Sequence, residues 1–446
     1  MTTDMHTSDL IIIGSGPGGY RAAAYAAAHG LQTTIIEQGP VGGTCLNCGC
    51  IPTKTLCRHA EIIDTLRKAE SFGLNGLTYT LDFARMMERK EQVVATLRQG
   101  VETQLAAPGI TLVRGTAHFT SPHVIAVGDE EYTAEHIIIA TGSKAKMLPI
   151  PGIDSAKVLS STQLLEIKEI PQKLCIVGAG VIGMEFASIF NSLGSEVTVV
   201  EYLKECLPAL DSDIAKRLRQ TFARRGVNFF MQSAVKEVTD EGVVFERKGK
   251  SATVEADIVL MATGRAACTD GLDLEKAGVA TDRNGIVVDE EMRTNVEGIY
   301  AIGDVNGHTM LAHAATYQGL HVVNRLLGLT DQIRLDIVPA AIFTHPEAAC
   351  VGVTEDACKQ NGVPYTCHKS HYRANGKALA MDETEGLVKV LADSENHIIG
   401  CHAFGAHAAD MIQEVAALMS MGATVEQLGD IIRIHPTVNE LLDLTH

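Results

Sequence analysis

Residues 9–39 read DLIIIGSGPGGYRAAAYAAAHGLQTTIIEQG, and this stretch decides the fold. An apolar run, residues 10–13, leads into Gly14, Gly16 and Gly19, then into an alanine-rich helical segment and a second apolar strand that ends at Glu37. The first glycine permits a tight turn, the second lets a pyrophosphate approach the backbone, and the third allows close packing of helix on strand. The acid is placed to hold ribose hydroxyls, so the pattern predicts a dinucleotide-binding fold.

The same pattern recurs at residues 173–201, KLCIVGAGVIGMEFASIFNSLGSEVTVVE, with Gly178, Gly180, Gly183 and Glu201. The acid follows the first glycine by 23 positions in both copies (37 − 14 and 201 − 178). Each half later has an apolar run that ends in Ala-Thr-Gly, at 140–142 and at 262–264. One such glycine motif is a weak signal, but two complete copies predict two dinucleotide folds. Two nucleotides in one chain indicate a hydride donor and acceptor, nicotinamide and flavin.

An acid at Glu201, with no arginine at the end of that strand, favours NAD over NADP.

A second motif, GGTCLNCGCIPTK at 42–54, contains Cys45, Cys48 and Cys50. The three spacings suit a thioredoxin-like pair, the corner of a metal site, or a disulfide that serves another redox group. Spacing alone favours Cys45 with Cys48, because helical positions three apart are about 5 Å from each other.

The composition excludes several classes of function. Lys and Arg number 37 against 54 Asp and Glu, a net charge of −17, and aromatic residues are 4% with no Trp. This disfavours binding to nucleic acid or to an anionic membrane. No stretch approaches the roughly 18–20 apolar residues of a membrane span. Outside the cluster, the cysteines are scattered without disulfide-framework spacing, which predicts a reduced, cytoplasmic protein.

Five motifs together carry a resemblance to a known family: GGTCLNCGCIPTK, ATGS at 140–143, YAIGDV at 300–305, MLAHAA at 310–315 and HPTVNE at 435–440. In this order they resemble the pyridine nucleotide–disulfide oxidoreductases, and within them most closely the dihydrolipoamide dehydrogenases. The resemblance implies an α/β fold with two Rossmann-like dinucleotide-binding domains, for FAD and NAD, and a C-terminal α+β dimerisation domain. The implied boundaries are 1–147 for the first part of the FAD domain, 148–268 for the NAD domain, 269–337 for the segment that completes the FAD domain, and 338–446 for the interface domain.

The same resemblance implies the redox residues. Cys45 and Cys50 form the active disulfide, with Cys50 facing the flavin and Cys45 exchanging with substrate. This pairing needs an irregular segment before Pro52, and we expect a helix to start near that proline. Lys54 approaches the flavin and pairs with Glu185.

His435, oriented by Glu440, is the implied base, and it reaches the disulfide of the other subunit, so the resemblance implies a homodimer. The remaining implied residues contact the nucleotides. For FAD they are Gly14, Gly16, Gly19, Glu37, Gly43, Thr44, Lys54, Ala117, Thr141, Gly142, Asp304 and Ala312. For NAD they are Gly178, Gly180, Gly183, Glu201, Val235 and Gly264.

The implied reaction is oxidation of dihydrolipoyl groups by NAD⁺ through one FAD per subunit. The substrate is a lipoyl-bearing protein or a small dithiol or disulfide, and a 2-oxo acid dehydrogenase complex core is a candidate partner. A glutathione-like disulfide reductase and a non-catalytic, flavin-bearing assembly or redox-sensing subunit are the alternatives. No metal is expected, since His345, His402 and His407 lack ligand spacing.

Three positions depart from the family pattern. Cys48 stands at a usually aliphatic position, Arg433 where many dihydrolipoamide dehydrogenases have histidine, and Gln318 where we expect glutamate.

Overall fold

The computed structural model of the protein describes residues 5–444. Its strands, in chain order, are β1 (Met5–Ile13), β2 (Thr33–Glu37), β3 (Ile110–Arg114), β4 (Ala117–Ser121), β5 (Val124–Val127), β6 (Glu130–Ile139), β7 (Ser143–Ala145), β8 (Val158–Ser160), β9 (Lys173–Val177), β10 (Glu196–Glu201), β11 (Asn228–Met231), β12 (Ser233–Val238), β13 (Gly242–Arg247), β14 (Lys250–Glu255), β15 (Ile258–Met261), β16 (Arg265–Ala267), β17 (Ile299–Ala301), β18 (Ala340–Ile342), β19 (Ala348–Gly352), β20 (Thr366–His371), β21 (Leu387–Ala392) and β22 (Ile398–Phe404).

The α-helices are α1 (Pro17–Ala28), α2 (Gly43–Cys48), α3 (Cys50–Arg67), α4 (Phe83–Leu105), α5 (Ser161–Leu164), α6 (Val181–Leu193), α7 (Ser212–Arg224), α8 (Leu274–Ala277), α9 (Ala312–Leu326), α10 (Glu355–Asn361), α11 (Gly376–Ala380), α12 (Ala408–Ser420) and α13 (Val425–Gly429). Short 3₁₀ helices cover Ala69–Phe72, Gly303–Asn306, Tyr372–Ala374 and Val438–Leu442. Within residues 5–444, no helix combines the length and the apolar character that crossing a bilayer requires.

The first of two compact units contains the described residues up to Thr55 together with Arg85–Lys146 and Gly264–Leu335. Its sheet has the order β3-β2-β1-β6-β5-β4, and β17 also pairs with β6. Strand β1 lies between β2 and β6, parallel to both. Because β1 is covered on both faces, its side chains alternate between two cores: Leu10 and Ile12 enter one, and Ile11 and Ile13 the other.

The second unit contains Leu56–Ala84, Met147–Thr263 and the described residues from Asp336 onward. It contains a parallel sheet of order β11-β10-β9-β15-β8, an antiparallel sheet β12-β13-β14, and a five-stranded sheet of order β18-β19-β22-β21-β20. The last sheet is antiparallel, and α12 packs on it around a core that includes Met411 and Val415. The predicted fold class is confirmed: two Rossmann-like folds and a C-terminal α+β domain.

A charged cluster ties together distant segments of the second unit. His345 Nδ1 lies 3.3 Å from the Asp64 Oδ2 atom of α3, and His345 Nε2 lies 3.3 Å from Glu383 Oε1. Arg225, just past α7, lies 3.4 Å from the same Asp64 carboxylate. Burial opposes charge on His345, but hydrogen bonds to Asp64 and Glu383 outweigh it and raise the pKa of His345 to about 9.

This cluster predicts a pH-dependent stability. Because the folded pKa of His345 lies above the ordinary value of about 6.5, its stabilisation is complete below that pH and disappears as the pH rises through the folded value. A pKa shift of this size corresponds to roughly 3 kcal/mol in the free energy of unfolding. We expect His345→Gln to abolish most of the loss of stability between about pH 6.5 and about pH 9, measured as the urea midpoint at each pH.

The control is His397→Gln, because His397 is an exposed histidine that pairs with Asp393 on the surface of the same unit. This variant should follow the wild-type curve. If His345→Gln loses stability over the window as steeply as the wild type does, the charged cluster does not carry the effect.

Candidate active site

The first glycine loop is closed by backbone contacts on two sides. Gly14 has φ +102°, and a Cβ there would lie 2.4 Å from the Ala140 carbonyl oxygen. A Cβ on Gly19 would lie 1.9 Å from the Gly14 carbonyl oxygen, whereas one on Gly16 would meet nothing within 4 Å. The first and third glycines therefore permit close packing, and the second faces open space beside the start of α1.

The second glycine loop repeats this geometry. Gly178 has φ +106° and would place a Cβ 2.4 Å from the Ala262 carbonyl oxygen. A Cβ on Gly183 would lie 2.0 Å from the Gly178 carbonyl oxygen, and one on Gly180 would meet nothing within 4 Å. The two loops thus have the same shape, as the repeated sequence predicts.

The predicted acid of the first fold holds its loop by hydrogen bonds. Glu37 Oε2 accepts from the Ser15 amide at 2.8 Å and from its hydroxyl at 2.7 Å. Glu37 Oε1 accepts from the Gly39 amide at 2.8 Å. These bonds fix the carboxylate in place. Because each oxygen keeps a further lone pair, the carboxylate can still accept from a ribose hydroxyl.

Glu201 does the same in the second fold. Its Oε2 accepts from the Ala179 amide at 2.5 Å and its Oε1 from the Leu203 amide at 2.6 Å. The side chain is buried, and these charge-assisted bonds offset its desolvation.

Both folds fit a dinucleotide. Helices α1 and α6 begin directly after Gly16 and Gly180, and no side chain caps either helix. Amide groups at the start of each helix therefore face the open space beside the second glycine. These donors and the helix dipole suit a pyrophosphate.

Other residues predicted for FAD surround the first loop. A Cβ on Gly43 would lie 2.6 Å from the Gly16 Cα atom, so the segment that opens α2, with Thr44 in its first turn, packs directly on the glycine loop. The Thr141 hydroxyl donates to the Cys268 carbonyl at 2.7 Å. Gly142 has φ +72° and accepts the Cys268 amide at 2.9 Å.

Asp304 lies in the 3₁₀ helix after β17, within a polar cluster that the sequence reasoning missed. Its Oδ2 accepts the Ser143 hydroxyl, and Arg265 Nε lies 3.7 Å from the same oxygen. Arg265 also donates to the Ser143 carbonyl at 2.6 Å. The arginine directly follows the second Ala-Thr-Gly and the serine directly follows the first, which is the signal that could have revealed both.

Gln318 supports the turn that precedes Asp304. Its Oε1 accepts from the Gly303 amide at 2.7 Å and from Asn306 Nδ2 at 3.2 Å. An amide oxygen therefore supplies the acceptor that this buried turn needs. Ala312, another residue implied for FAD, is the first residue of α9.

The remaining nucleotide candidates lie on separate elements. Ala117 is buried at the start of β4, and Val235 lies in β12 opposite Phe245. Gly264 has φ +103° and follows β15. The contacts predicted for these residues stay predictions.

The cysteine cluster spans a break between two helices. Cys45 and Cys48 lie on α2, the backbone turns at Gly49 (φ −142°, ψ −106°), and Cys50 is the first residue of α3. The expected start near Pro52 is wrong by two residues, because the break occurs at Gly49 and Pro52 fits within the first turn. There Gly49 accepts the first helical hydrogen bond, from the Thr53 amide at 3.1 Å.

This break brings the side chains of Cys45 and Cys50 into hydrogen-bonding contact. The bond to Cys50, with burial second, raises the pKa of the Cys45 thiol, and nearby Lys54 partly opposes this. Cys50 is the first residue of α3, and the positive end of that helix stabilises negative charge on its sulfur.

Lys54 and Glu185 belong to different compact units, and their predicted ion pair stays a prediction. Lys54 lies in the first turns of α3 and acts electrostatically on Cys45. Glu185 lies on α6, is buried, and accepts the Phe343 amide at 3.0 Å.

His435 and Glu440 form the predicted dyad. His435 Nδ1 lies 2.7 Å from Glu440 Oε1, and Glu440 Oε2 accepts the Thr437 amide at 2.9 Å. The hydrogen bond to His435, followed by the bond to the Thr437 amide, lowers the pKa of Glu440. The imidazole is 79% exposed, so Nε2 is accessible while Nδ1 is held.

Arg433 anchors the loop that carries His435. Its guanidinium pairs with Glu414 of α12 at 2.7 Å and with Asp443 at 2.6 Å, and it is almost fully buried. Glu414 also accepts from Asn439 at 2.7 Å. Arg433, which departs from the family pattern, thus anchors the loop of His435 through a buried guanidinium with two partly exposed acidic partners.

The histidines considered as metal candidates have other partners. His402 is buried, accepts the Asp211 amide at Nδ1 (3.1 Å) and donates from Nε2 to the Val353 carbonyl (3.0 Å). Burial lowers the pKa of His402, which keeps it neutral. His345 belongs to the charged cluster described above, and His407 lies near Asp410 on the surface.

Comparison with known proteins gives a consistent result. The pyridine nucleotide-disulphide oxidoreductase model matches residues 8–319, and the dimerisation domain of the same family matches residues 338–445. Pea (Pisum sativum) mitochondrial dihydrolipoyl dehydrogenase is 40% identical over 98% of this chain and 90% of its own length. Soybean (Glycine max) leghemoglobin reductase is 40% identical over 97% of this chain and 86% of its own. The structure of the HOCl-induced flavoprotein disulfide reductase RclA from Escherichia coli superposes with a TM-score of 0.87, at 32% identity, over 98% of this chain and 99% of its own.

Because each fold has its own strand-end acid, substitutions at Glu37 and at Glu201 should weaken the binding of different nucleotides. In Glu201→Gln one oxygen becomes an NH₂ group, which cannot accept from the amide it now faces. We expect this to weaken NADH binding by about 10- to 100-fold, since a buried donor left unpaired costs about 1–3 kcal/mol. Fluorescence titration with NADH measures the change.

Glu37→Gln is the matched variant in the first fold. It should lower FAD retention, measured by the absorbance of released flavin, and leave the NADH titration of the loaded fraction as in the wild type. If each substitution weakens both nucleotides equally, the two acids do not serve separate sites.

Proposed function

Because the chain belongs to the pyridine nucleotide-disulphide oxidoreductases, we propose that it is a dihydrolipoyl dehydrogenase, which oxidises dihydrolipoyl groups with NAD⁺. The observation that carries this proposal is the contact between the Cys45 and Cys50 side chains across the break at Gly49. It supports Cys45 and Cys50 as the redox pair, in agreement with the family motif. The 40% identity to a dihydrolipoyl dehydrogenase over nearly the whole chain supports the substrate class.

FAD and NAD(H) are the cofactors of this family, and the chain has one glycine-loop fold for each. We assign FAD to the first fold because Gly43, at the start of the cysteine-bearing α2, packs on its loop glycine Gly16. Asp304 and the start of α9 belong to the same unit. When bound there, FAD accepts two electrons from the thiols and supplies the hydride chemistry with NAD⁺.

The thiol chemistry follows from the unequal acidity of the two cysteines. A dihydrolipoyl thiol loses its proton to a base, attacks Cys45 Sγ, and breaks the Cys45–Cys50 bond, so Cys50 leaves as a thiolate. The second substrate thiol then attacks the mixed disulfide and expels Cys45, which takes up a proton. The substrate leaves as a cyclic disulfide, and two electrons stay on the cysteine pair.

The base is His435, supplied by a second copy of the chain. Its Nδ1 is held by Glu440 while Nε2 is accessible, which is the arrangement that proton transfer requires. Two neighbouring apolar side chains, Ile432 and Ile434, are 98% and 80% exposed. A partner subunit would cover them, and the match to the family's dimerisation domain supports a homodimer.

The nicotinamide nucleotide of the second fold is NAD rather than NADP. Both oxygens of Glu201 already accept from backbone amides, so the Glu201 side chain presents negative charge toward the ribose of the bound nucleotide. A 2′-phosphate would be repelled, which disfavours the glutathione-like alternative.

We further propose that the lipoyl groups are carried by the core of a 2-oxo acid dehydrogenase complex in the cytoplasm. The lipoyl chemistry of the named relative supports the partner class. Inert buried thiols suit a reducing compartment, and burial raises the pKa of the Cys175 thiol to about 12.

The first test is Cys45→Ser. We expect lipoamide-dependent reduction of NAD⁺ to fall by about a thousandfold or more, since the exchanging sulfur is lost, while FAD stays bound. NADH oxidation by an artificial quinone, which bypasses the disulfide, is the control and should persist. A wild-type protein that turns over glutathione disulfide but not lipoamide would contradict the proposal, and inactivity with both would favour the non-catalytic alternative.

The second test is Glu440→Gln, which replaces the charged partner of His435 with a neutral one. We expect kcat with dihydrolipoamide to fall by about 10- to 100-fold near pH 7, with little change in KM. The deficit should shrink toward about pH 9, because substrate thiols then ionise without a base. A deficit that is constant over this range indicates a structural role for Glu440.

A further inference from the structure

The reaction proposed above uses two of the three cysteines in the cluster and leaves Cys48 without a role. Cys45 and Cys48 occupy positions three apart on α2. Such positions place their Cβ atoms about 5–6 Å apart on one helix face, close to the separation that a disulfide needs after a small adjustment. Cys48 is a free, partly exposed cysteine.

Cys45 therefore has two potential partners. The break at Gly49 folds the chain back on α2, and a Cβ on Gly49 would lie 2.9 Å from the Thr44 carbonyl oxygen. This close return places Cys50 in hydrogen-bonding contact with Cys45 from one side, while Cys48 adjoins Cys45 along the helix. The two possible disulfides share Cys45 and exclude each other.

We propose that Cys48 is a third redox thiol, which exchanges with the Cys45–Cys50 disulfide to form an alternative Cys45–Cys48 disulfide. The Cys48 thiolate attacks Cys45 Sγ, the bond from Cys45 to Cys50 breaks, and Cys50 leaves as a thiolate. One disulfide and one thiolate are present before and after, so the step is an isomerisation that needs no oxidant or reductant. The inference rests on the Cys45–Cys50 disulfide of the proposed function.

The environment favours departure of Cys50. The better leaving sulfur is the one that more readily carries negative charge. The hydrogen bond from Cys50 and burial raise the pKa of the Cys45 thiol, which makes Cys45 the poorer carrier of negative charge. Cys50 is also the first residue of the long helix α3, whose amino-terminal end stabilises an anion.

The consequence is a second oxidised form of the enzyme at the same oxidation level. In the first form Cys45 and Cys50 are joined by the disulfide and Cys48 is a thiol. In the second, Cys50 is a thiolate although no electrons have been added. Attack on Cys45 is possible in both, but only the first form releases Cys50 in the same step.

The experiment is differential labelling of the oxidised FAD-loaded enzyme. The protein is quenched in acid and denatured, its thiols are blocked with N-ethylmaleimide, and its disulfides are then reduced and alkylated with iodoacetamide. Cleavage after Arg21 and Lys54 leaves all three cysteines on one peptide, in which fragment ions locate each label. Maleimide on all three cysteines marks molecules that were not oxidised, and these are counted separately.

We expect two populations among the oxidised molecules, one with maleimide on Cys48 and one with maleimide on Cys50. In Cys48→Ser the second population should fall to background. The long-wavelength absorbance that a Cys50 thiolate produces beside oxidised flavin should be present in the oxidised wild type without reductant. It should be lost in Cys48→Ser.

Cys57→Ser is the matched control. Cys57 follows Cys50 by seven positions on α3 (57 − 50), about 10 Å along the helix axis, which is too far to bridge. It should keep both populations. Cys50→Ser gives a second measurement that does not depend on folding of the Cys48 variant, because its Cys45 and Cys48 should both be protected from maleimide as a disulfide.

Maleimide on Cys48 alone in the wild type overturns the inference while the Cys45–Cys50 disulfide of the proposed function stands. Reactive Cys45 and Cys48 in oxidised Cys50→Ser also overturn it. Labelling of all three cysteines after oxidation removes both the inference and the proposed redox pair.

Discussion

A carboxylate at the end of the second strand holds each glycine loop against its sheet. Glu37 accepts the amide of Ser15, and Glu201 accepts the amide of Ala179. These bonds are short because an ionised acceptor strengthens them, and each links a loop to the strand beside it. Three features depend on a glycine loop that keeps this shape. They are the open space beside the second glycine, the uncapped start of the following helix, and, in the first fold, the packing of the cysteine segment on the loop.

The contact between Cys45 and Cys50 depends on the break between α2 and α3. In one continuous helix, Cys50 would lie about 7.5 Å along the axis from Cys45 and on another face. The turn at Gly49 removes that separation, so Cys50 both meets Cys45 and begins a new helix. One backbone feature thus joins two functions, contact between the sulfurs and stabilisation of the charge on one of them.

The loop that carries His435 is held by a network of ion pairs, whereas Glu440 lies in the 3₁₀ helix Val438–Leu442. The segment before His435 is irregular, and Arg433 pairs with both Glu414 and Asp443 beneath it. The guanidinium is suited to this position because its planar donors reach several acceptors at once. Arg433, at a position where many dihydrolipoamide dehydrogenases have histidine, therefore changes how the loop is anchored. The hydrogen bond between His435 and Glu440 is present nonetheless.

Local patterns in the sequence determined the two nucleotide folds, because glycine spacing, helix start and strand-end acid are set over about 30 residues. The dyad of His435 and Glu440, five positions apart in the chain, was implied by the family resemblance of the five ordered motifs. Helical spacing favours Cys48 as the partner of Cys45, and the family resemblance implies Cys50. Only the tertiary structure shows how Cys50 reaches Cys45, since the turn at Gly49 overrides helical spacing. The Asp304 cluster and the His345 ion pairs were decided by the tertiary structure alone, because their members lie far apart in sequence and neither periodicity nor motif spacing indicates contact.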